Sequence, residues 1–181
     1  KSAKACTKAL KKLKYKIMSF DPAKEQLSKI KRYTGKVSLI FNALHGRDGE
    51  DGTAQSYFEY FKIPYTHSGV ISSMNAMDKI ISKKIFKRNN LLTPNYISLN
   101  SVNYKKFLKK NTLRNLYFNY PVVVKPSNEG SSIGVEMCKN FIQLKNSVNK
   151  LIKNYKTLIV ESYIAGREIQ VAVINGKALG A

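Results

Sequence analysis

The chain has 181 residues, of which 43% are hydrophobic and 24% charged, so its composition is that of a folded globular protein and excludes a disordered one. Its 32 Lys and Arg against 11 Asp and Glu give a formal net charge of +21. Two cysteines exclude a disulfide framework, no metal-type spacing is present, and no apolar run reaches the roughly 18 residues of a membrane helix. No signal peptide is recognisable at the start, so we expect a reduced, soluble, intracellular protein.

The first half of the chain alternates between helical and extended patterns. Apolar residues at helical spacing predict helices over residues 3–13, 25–33, 53–61 and 77–89. Alternating or continuous apolar residues predict strands over residues 15–20, 37–41 and 63–66. Such an alternation predicts an α/β layer around a parallel sheet.

The second half contains more strand patterns. Strands are predicted over residues 96–99, 122–126, 135–138, 157–161 and 168–174, with helices over 104–117 and 141–154. The loop between the second and third of these strands, residues 127–134, is rich in Gly and Ser, which predicts a hairpin. The strand-to-helix arrangement and the spacing of a P-loop are absent.

Lys125 and the loop that follows it are the first candidates for chemistry. Lys125 ends an apolar strand directly before Pro126, where an inward ammonium requires an anionic partner unless it reaches the surface. Gly130 and Gly134 allow positive φ and close backbone approach, while Ser131 and Ser132 add hydroxyl groups. A loop of this kind can present N–H groups to phosphate oxygens, and the alternative is an ordinary flexible hairpin.

His45 and Lys79 are candidates in the first half. His45 follows the carboxyl end of an apolar strand, the edge at which ligands bind in open α/β sheets, although a lone loop histidine is often structural. The acidic residues 48–51 could bind a cation, but helix capping and loop hydrogen bonding are the uses that the pattern favours. Asp78 is a predicted N-cap, and Lys79 at a helix N-terminus opposes the dipole, which indicates an anionic partner.

Glu161 and Glu168 flank the turn between the last two predicted strands. Carboxylates at such positions can accept hydrogen bonds from an amino group and from sugar hydroxyls. Solvation at a hairpin end is the simpler explanation for either residue alone.

Six short motifs, in this order along nearly the whole chain, resemble D-alanine–D-alanine ligase, an ATP-grasp family of peptidoglycan synthesis. They are Asn42-Ala-Leu-His-Gly with Gly49-Glu-Asp-Gly52, Ile63-Pro-Tyr-Thr66 with Ser68-Gly-Val70, Ala76-Met-Asp-Lys79 with Ser82-Lys83, Val124-Lys-Pro126, Glu129-Gly-Ser-Ser-Ile-Gly134, and Glu161 with Gly166-Arg-Glu168. Each motif is weak alone, but their order and spacing are specific.

The resemblance implies a fold and a reaction. The implied fold class is α/β and α+β: an ATP-grasp fold with a Rossmann-like amino-terminal domain. The implied domains are residues 1–76, a Rossmann-like domain lacking its first strand; 77–165, the central ATP-grasp subdomain; and 166–181, the start of the carboxy-terminal subdomain. The implied reaction joins two D-alanines through an acylphosphate at the expense of ATP, with two Mg²⁺ or Mn²⁺ ions, in a cytoplasmic homodimer.

The resemblance also implies roles for individual residues. Lys79, Lys125, Gly130 and Ser132 are expected at the nucleotide phosphates, Glu161 at the adenine amino group, Tyr163 and Ile164 around adenine, and Glu168 at the ribose. His45, Glu50 and Ser131 are expected at D-alanine, with His45, Ser131 and Ser132 as the catalytic group.

Both ends of the family fold are expected to be missing from these residues. No metal ligand is expected within the chain, because the resemblance puts the ligands of the family beyond Ala181. These residues alone are therefore not expected to catalyse the reaction.

Two other functions remain open on the sequence alone. Another ATP-grasp carboxylate–amine ligase would share Lys125 and the loop, but would not be expected to carry the His45 loop and the motif ending at Lys79 together. A basic nucleic-acid-binding module would explain the charge, yet arginine is scarce, acidic residues interrupt the lysines, and abundant Lys, Asn and Ile indicate a compositional habit. We therefore expect neither nucleic acid nor membrane among the partners.

Overall fold

The computed structural model describes residues 2–109 and 119–180. Its α-helices are α1 (Ser2–Lys12), α2 (Thr53–Tyr60), α3 (Val70–Met77), α4 (Lys79–Arg88), α5 (Tyr104–Lys109) and α6 (Phe141–Leu151), and a 3₁₀ helix covers Leu27–Tyr33. Its strands are β1 (Tyr96–Asn100), β2 (Val122–Pro126), β3 (Glu136–Cys138), β4 (Thr157–Ser162), β5 (Val173–Ile174) and β6 (Lys177–Ala178). No helix in these two ranges is long and apolar enough to cross a membrane.

Strands β1 to β4 form one antiparallel sheet in the order β1-β4-β2-β3. The hairpin predicted around the Gly- and Ser-rich loop is confirmed, because β2 and β3 pair antiparallel on either side of it. The register aligns Tyr96, Glu161, Val123 and Met137 in one row across the sheet. This row brings Glu161 into the middle of the sheet.

One face of this sheet carries a hydrophobic core. Val122, Val124, Leu158 and Val160 point to that face and pack with residues of α5 and α6, such as Leu144. Side chains alternate along a strand, so Val123, Lys125, Ile159 and Glu161 point to the other face. The sequence pattern of β2 and β4 therefore produces one apolar face and one face with charged groups.

A second hydrophobic cluster lies in the first half of the chain, around Ile30, Ala54, Phe58 and Ile63. Here the predicted strands are only partly formed among the described residues. Residues 15–20 form no strand, and the segments 37–41 and 63–66 pair in parallel, as predicted, but through a single bridge, Ile40 with Tyr65. A strand needs a neighbour to satisfy its backbone groups, and an apolar run alone does not provide one. Leu39 and Phe41 are accordingly about half exposed, at 53% and 48%, rather than buried on both faces.

Two further predictions are revised by the structure, and a third is tested only in part. The helix predicted over 77–89 begins at Lys79 and follows a separate α3; Asp78 caps it by accepting hydrogen bonds from the N–H groups of Ile80 and Ile81 at 2.8 and 3.1 Å. The strand predicted over 168–174 is ordered as a strand only at Val173–Ile174, which pairs with Lys177–Ala178. The helix predicted over 104–117 is seen to Lys109, and the rest of that prediction lies outside the described residues.

The predicted domain segment 166–181 is described up to residue 180. Its last residue, Ala181, lies outside the described residues. The prediction that the metal ligands of the family follow Ala181 therefore concerns positions that the structure does not describe, and it stays a prediction.

Candidate functional site

The charged face of the sheet holds a buried carboxylate between two lysines. Glu161 on β4 pairs through Oε1 with the Nζ of Lys125 on β2, and through Oε2 with the Nζ of Lys83 on α4 at 2.9 Å. The side chains of Glu161 and Lys83 are only 9% and 8% exposed, whereas that of Lys125 is 21% exposed. Two ammonium groups on one buried carboxylate leave a net positive charge on this face.

Lys83 belongs to one of the sequence motifs, but the sequence analysis did not assign it to the site. Its Nζ also donates to Thr93 Oγ1 at 2.9 Å and to the Pro94 carbonyl oxygen at 3.0 Å, and lies 5.2 Å from the centre of the Tyr96 ring. The available signal was its position four residues after Lys79, which places both lysines on the same side of one helix.

Lys79 begins α4 and reaches the same region. Its backbone N–H donates to the Ser127 carbonyl oxygen at 2.9 Å, and its Nζ donates to the carbonyl oxygen of Glu129. Burial lowers the pKa of Lys79, and the nearby positive charge of Lys125 lowers it further. Lys79, Lys83 and Lys125 thus concentrate positive charge next to the loop, an arrangement suited to an anionic ligand.

The loop after β2 has an unusual backbone at its tip. Ser131 and Ser132 both have left-handed φ values, 50° and 59°, and both are exposed. Gly134 has φ 68°, and a Cβ there would lie 2.9 Å from Cγ of Pro126. Within the described residues, the N–H groups of these two exposed serines have no backbone acceptor.

Tyr163, Ile164 and Glu168 follow β4. The N–H of Tyr163 donates to the Pro121 carbonyl oxygen at 3.2 Å, whereas the N–H of Ile164 has no backbone acceptor among the described residues. Both side chains are exposed. Glu168 is also exposed, and in the described parts of the chain it makes no contact with the lysines, so its role at a ribose stays a prediction.

The structure brings His45 and Glu50 together in the glycine-rich loop. His45 Nδ1 lies 3.5 Å from Glu50 Oε1, and the N–H of Gly46 donates to Glu50 Oε2 at 2.7 Å. His45 Nε2 also lies 3.1 Å from Ser2 Oγ. The His45 side chain is 66% exposed, so it can meet a ligand that approaches the loop.

Two buried amides hold this loop in shape. Asn42 Nδ2 and Gln55 Nε2 both donate to the Gly49 carbonyl oxygen at 2.9 Å. A Cβ on Gly49 would lie 2.4 Å from Cβ of Leu44, so no larger residue fits there without displacement. Sequence reasoning missed Gln55, whose polar side chain is only 1% exposed on the inner face of α2.

Asp51 supports the loop through hydrogen bonds to its backbone. Its two carboxylate oxygens accept hydrogen bonds from the N–H groups of Asp48 and Thr53, both at 3.0 Å. Burial raises the pKa of Asp51, but these hydrogen bonds outweigh it and the net shift is downward. Across residues 2–109 and 119–180, no three His, Cys, Asp or Glu side chains cluster in a way that could hold a metal ion.

Comparison with known proteins gives a consistent family. A family model described as "D-ala D-ala ligase N-terminus" matches residues 4–68, and one described as "D-ala D-ala ligase C-terminus" matches residues 85–180. A D-alanine–D-alanine ligase from Pelagibacter ubique is 49% identical over 180 residues, which is 99% of this chain and 57% of that protein. One from Anaeromyxobacter is 38% identical over 98% of this chain and 56% of that protein.

Solved structures agree with the sequence matches. The crystal structure of the D-alanine–D-alanine ligase from Bacillus anthracis complexed with ATP superimposes with a TM-score of 0.72 and 32% identity. The match covers 86% of this chain and 50% of the Bacillus anthracis chain. The chain therefore spans a little over half the length of the relatives that it matches.

Proposed function

Because the chain belongs to the D-alanine–D-alanine ligase family, we propose that the full gene product joins two D-alanines into D-alanyl-D-alanine at the expense of ATP, for peptidoglycan precursor synthesis. The observation that carries this proposal is the buried Glu161 between Lys83 and Lys125, with Lys79 bound to the loop that follows β2 and carries the exposed Ser131 and Ser132. This face combines positive charge, a hydrogen-bond acceptor and backbone donors, which together suit a nucleoside triphosphate.

The lysines and the loop bind the phosphates. Lys125 and Lys79 contact phosphate oxygens, and the loop from Gly130 to Gly134 closes over the γ-phosphate with the Ser132 hydroxyl and the exposed N–H groups as donors. Such donors stabilise the charge that spreads over a phosphoryl group during transfer. The ATP complex of the Bacillus anthracis relative supports a nucleotide here.

The base and the sugar bind along the end of β4. An ionised carboxylate can only accept hydrogen bonds, so Glu161 selects a ligand that presents an amino group, as adenine does. Tyr163 and Ile164 line the base, the N–H of Ile164 is available for a ring nitrogen, and Glu168 accepts from the ribose hydroxyls.

His45, Glu50 and Ser131 act at D-alanine. The carboxylate of the first D-alanine takes the γ-phosphoryl group, which gives ADP and an acylphosphate. The amine of the second D-alanine then attacks the carbonyl carbon, and phosphate leaves. We assign His45 to the carboxylate and the tetrahedral intermediate, Glu50 to holding His45, and Ser131 to hydrogen bonding of the substrate.

The remaining proposals concern the assembly. We propose a homodimer in the cytoplasm, with residues 1–76, 77–165 and 166–181 as the three domain segments; the two separate hydrophobic clusters support the first boundary. Two Mg²⁺ or Mn²⁺ ions would serve the full gene product, with ligands that we assign to positions after Ala181. The described residues offer no ligand set, so no step above depends on these ions.

Phosphate release from ATP tests the proposal. The full gene product is assayed with D-alanine, with L-alanine and without amino acid, and the products are separated to detect the dipeptide. We expect release that depends on D-alanine and yields D-alanyl-D-alanine. ATP binding without any dependence on D-alanine would instead indicate another carboxylate–amine ligase, and absence of ATP binding would contradict the proposal outright.

A further inference from the structure

Lys83 is a buried charge to which the proposed chemistry gives no role. Its ammonium contacts Glu161 Oε2, Thr93 Oγ1 and the Pro94 carbonyl oxygen at 2.9, 2.9 and 3.0 Å, and it lies over the ring of Tyr96. The contact with Oε2 is an ion pair whose angles do not fit a hydrogen bond, and the other two are hydrogen bonds. Lys83 is therefore fixed in place and is not available to a ligand.

Lys125 is the more accessible of the two partners of Glu161. Its side chain is 21% exposed against 8% for Lys83, and it lies at the end of β2, where the chain enters the loop. Among the described residues, Lys125 forms one ion pair, with Glu161. Lys125 can therefore turn toward a phosphate if the carboxylate can spare it.

Glu161 needs a counter-charge at this burial. A buried carboxylate that loses its only counter-charge is strongly destabilised. With Lys83 in place, the carboxylate keeps one ammonium at 2.9 Å after Lys125 has moved. Without Lys83, each phosphate contact made by Lys125 would leave Glu161 uncompensated.

We propose that Lys83 is a positioning residue of the nucleotide site: it is the permanent counter-charge of Glu161, and this frees Lys125 to bind phosphate. The inference rests on the proposed function, because it assumes that a nucleotide phosphate is the ligand of Lys125. It adds a residue that contacts no substrate and acts through the carboxylate.

Binding of the non-hydrolysable analogue β,γ-methylene-ATP to the full gene product tests this, measured by titration calorimetry. We expect Lys83→Met to weaken binding about ten- to a hundredfold, the equivalent of one poorly compensated charge. Lys83→Arg keeps the charge and should recover most of the affinity. Lys84→Met removes the adjacent exposed lysine and should bind as the unchanged protein does.

The same substitution in a protein that already carries Glu161→Gln separates this role from a merely structural one. In a Glu161→Gln protein there is no buried carboxylate for Lys83 to neutralise, so adding Lys83→Met should weaken binding less than about threefold. This double variant also avoids an uncompensated buried carboxylate, so it stays measurable if Lys83→Met alone unfolds, which thermal melting will show. If Lys83→Met weakens binding equally with Glu161 and with Glu161→Gln, or weakens it in neither, the inference is overturned. If the protein without any substitution fails to bind the analogue, the proposed function is overturned instead.

Discussion

At the scale of single residues, burial decides how the charged groups of the site behave. Glu161 lies in the sheet with 9% of its side chain exposed, and the two lysines that neutralise it come from different elements. Lys79 stands apart from this pair, and its pKa is lowered first by burial and then by the charge of Lys125. Burial and Lys125 therefore disfavour the charged form of Lys79 next to the loop, and a bound anion favours it.

Lys125 is the residue whose removal tests the phosphate site directly. Lys125→Met should weaken ATP binding about ten- to a hundredfold, the cost of one charge-assisted hydrogen bond, because Lys83 still neutralises Glu161 and the fold is retained. Titration calorimetry measures the affinity, and circular dichroism checks the fold. Lys145→Met, an exposed lysine on α6, is the matched control. Unchanged ATP affinity would remove Lys125 from the site.

His45 is expected to act on turnover rather than on nucleotide binding. His45→Gln should lower kcat about a hundredfold, the typical effect of losing one donor at a developing charge, and leave the Kd for ATP nearly unchanged. The control is His67→Gln, which alters the other histidine, an exposed residue beside Thr66. Parallel losses of turnover and ATP affinity would place His45 away from the D-alanine carboxylate.

The sequence predicted which residues belong to the candidate site better than it predicted which of them are in contact. Lys125, Glu161 and Lys79 followed from strand ends, a helix start and the family resemblance, and the structure brings them to one face of the sheet. The contact between Glu161 and Lys83 joins residues far apart in the chain, and no local pattern encodes it. Gln55 was also missed, although its partner, the Gly49 carbonyl oxygen, is only six residues away, because that contact depends on the conformation of the loop between them.

At the scale of elements, the antiparallel sheet and its loop were largely predictable, because their residues alternate and are flanked by turn residues. The first half was less so: apolar runs at 37–41 and 63–66 share one bridge, since strand pairing depends on a neighbour that a local pattern cannot supply. The last hairpin had an available signal, Asn175-Gly176, where both residues have positive φ, and it was not used.

The loop after β2 offers a matched pair of glycines. Gly134→Ala should destabilise the protein by about 1–2 kcal/mol, because its φ of 68° is left-handed and the added Cβ would meet Pro126. Gly130→Ala should leave the melting temperature unchanged, since a Cβ there meets nothing within 4 Å. Thermal melting of both variants checks this, and equal melting temperatures would contradict the loop conformation described here.

Glu136 connects β3 to α6, and its contribution to the stability of the fold depends on pH. Lys150 Nζ and Ser147 Oγ donate to its two oxygens at 2.8 and 2.5 Å, and these bonds hold its pKa below the ordinary value of 4.5. The ionised form is thus favoured by folding, so the contribution is complete above pH 4.5 and is lost as the pH falls through the lower, folded-state pKa.

We expect the stability of Glu136→Gln to depend less on pH under acidic conditions than that of the protein with Glu136. The difference in melting temperature between this variant and the unchanged protein should be largest near neutral pH and shrink on acidification below pH 4.5. Glu168→Gln, at an exposed carboxylate without contacts in the described chain, serves as control. A difference that stays constant with pH would mean that the ionised carboxylate is not what docks α6.

At the scale of the whole molecule, the net charge of +21 and the charged face of the sheet are separate features. Most of the lysines are exposed, and salt screens such charges within about 8 Å at 0.15 M. Lys83 and Glu161 are buried, so screening affects their interactions much less. A ligand of the sheet face and a ligand of the general surface should therefore respond differently to salt.

This difference predicts the outcome of a salt series with ATP and duplex DNA as competing ligands. At about 0.15 M salt, ATP at a hundred times its Kd should still stabilise the full gene product by about 2.7 kcal/mol, seen as a rise in melting temperature. Binding to DNA should be weak and fall steeply as salt is raised, because it rests on exposed lysines alone. At the same ATP concentration, Lys125→Met should reduce this stabilisation from about 2.7 to about 0.4–1.4 kcal/mol. It should leave retention on DNA unchanged, since Lys125 is one of many positive charges for DNA but a defined contact for a phosphate. DNA binding that persists at this salt concentration, together with no stabilisation by ATP, would reverse the assignment and make the basic surface the functional one.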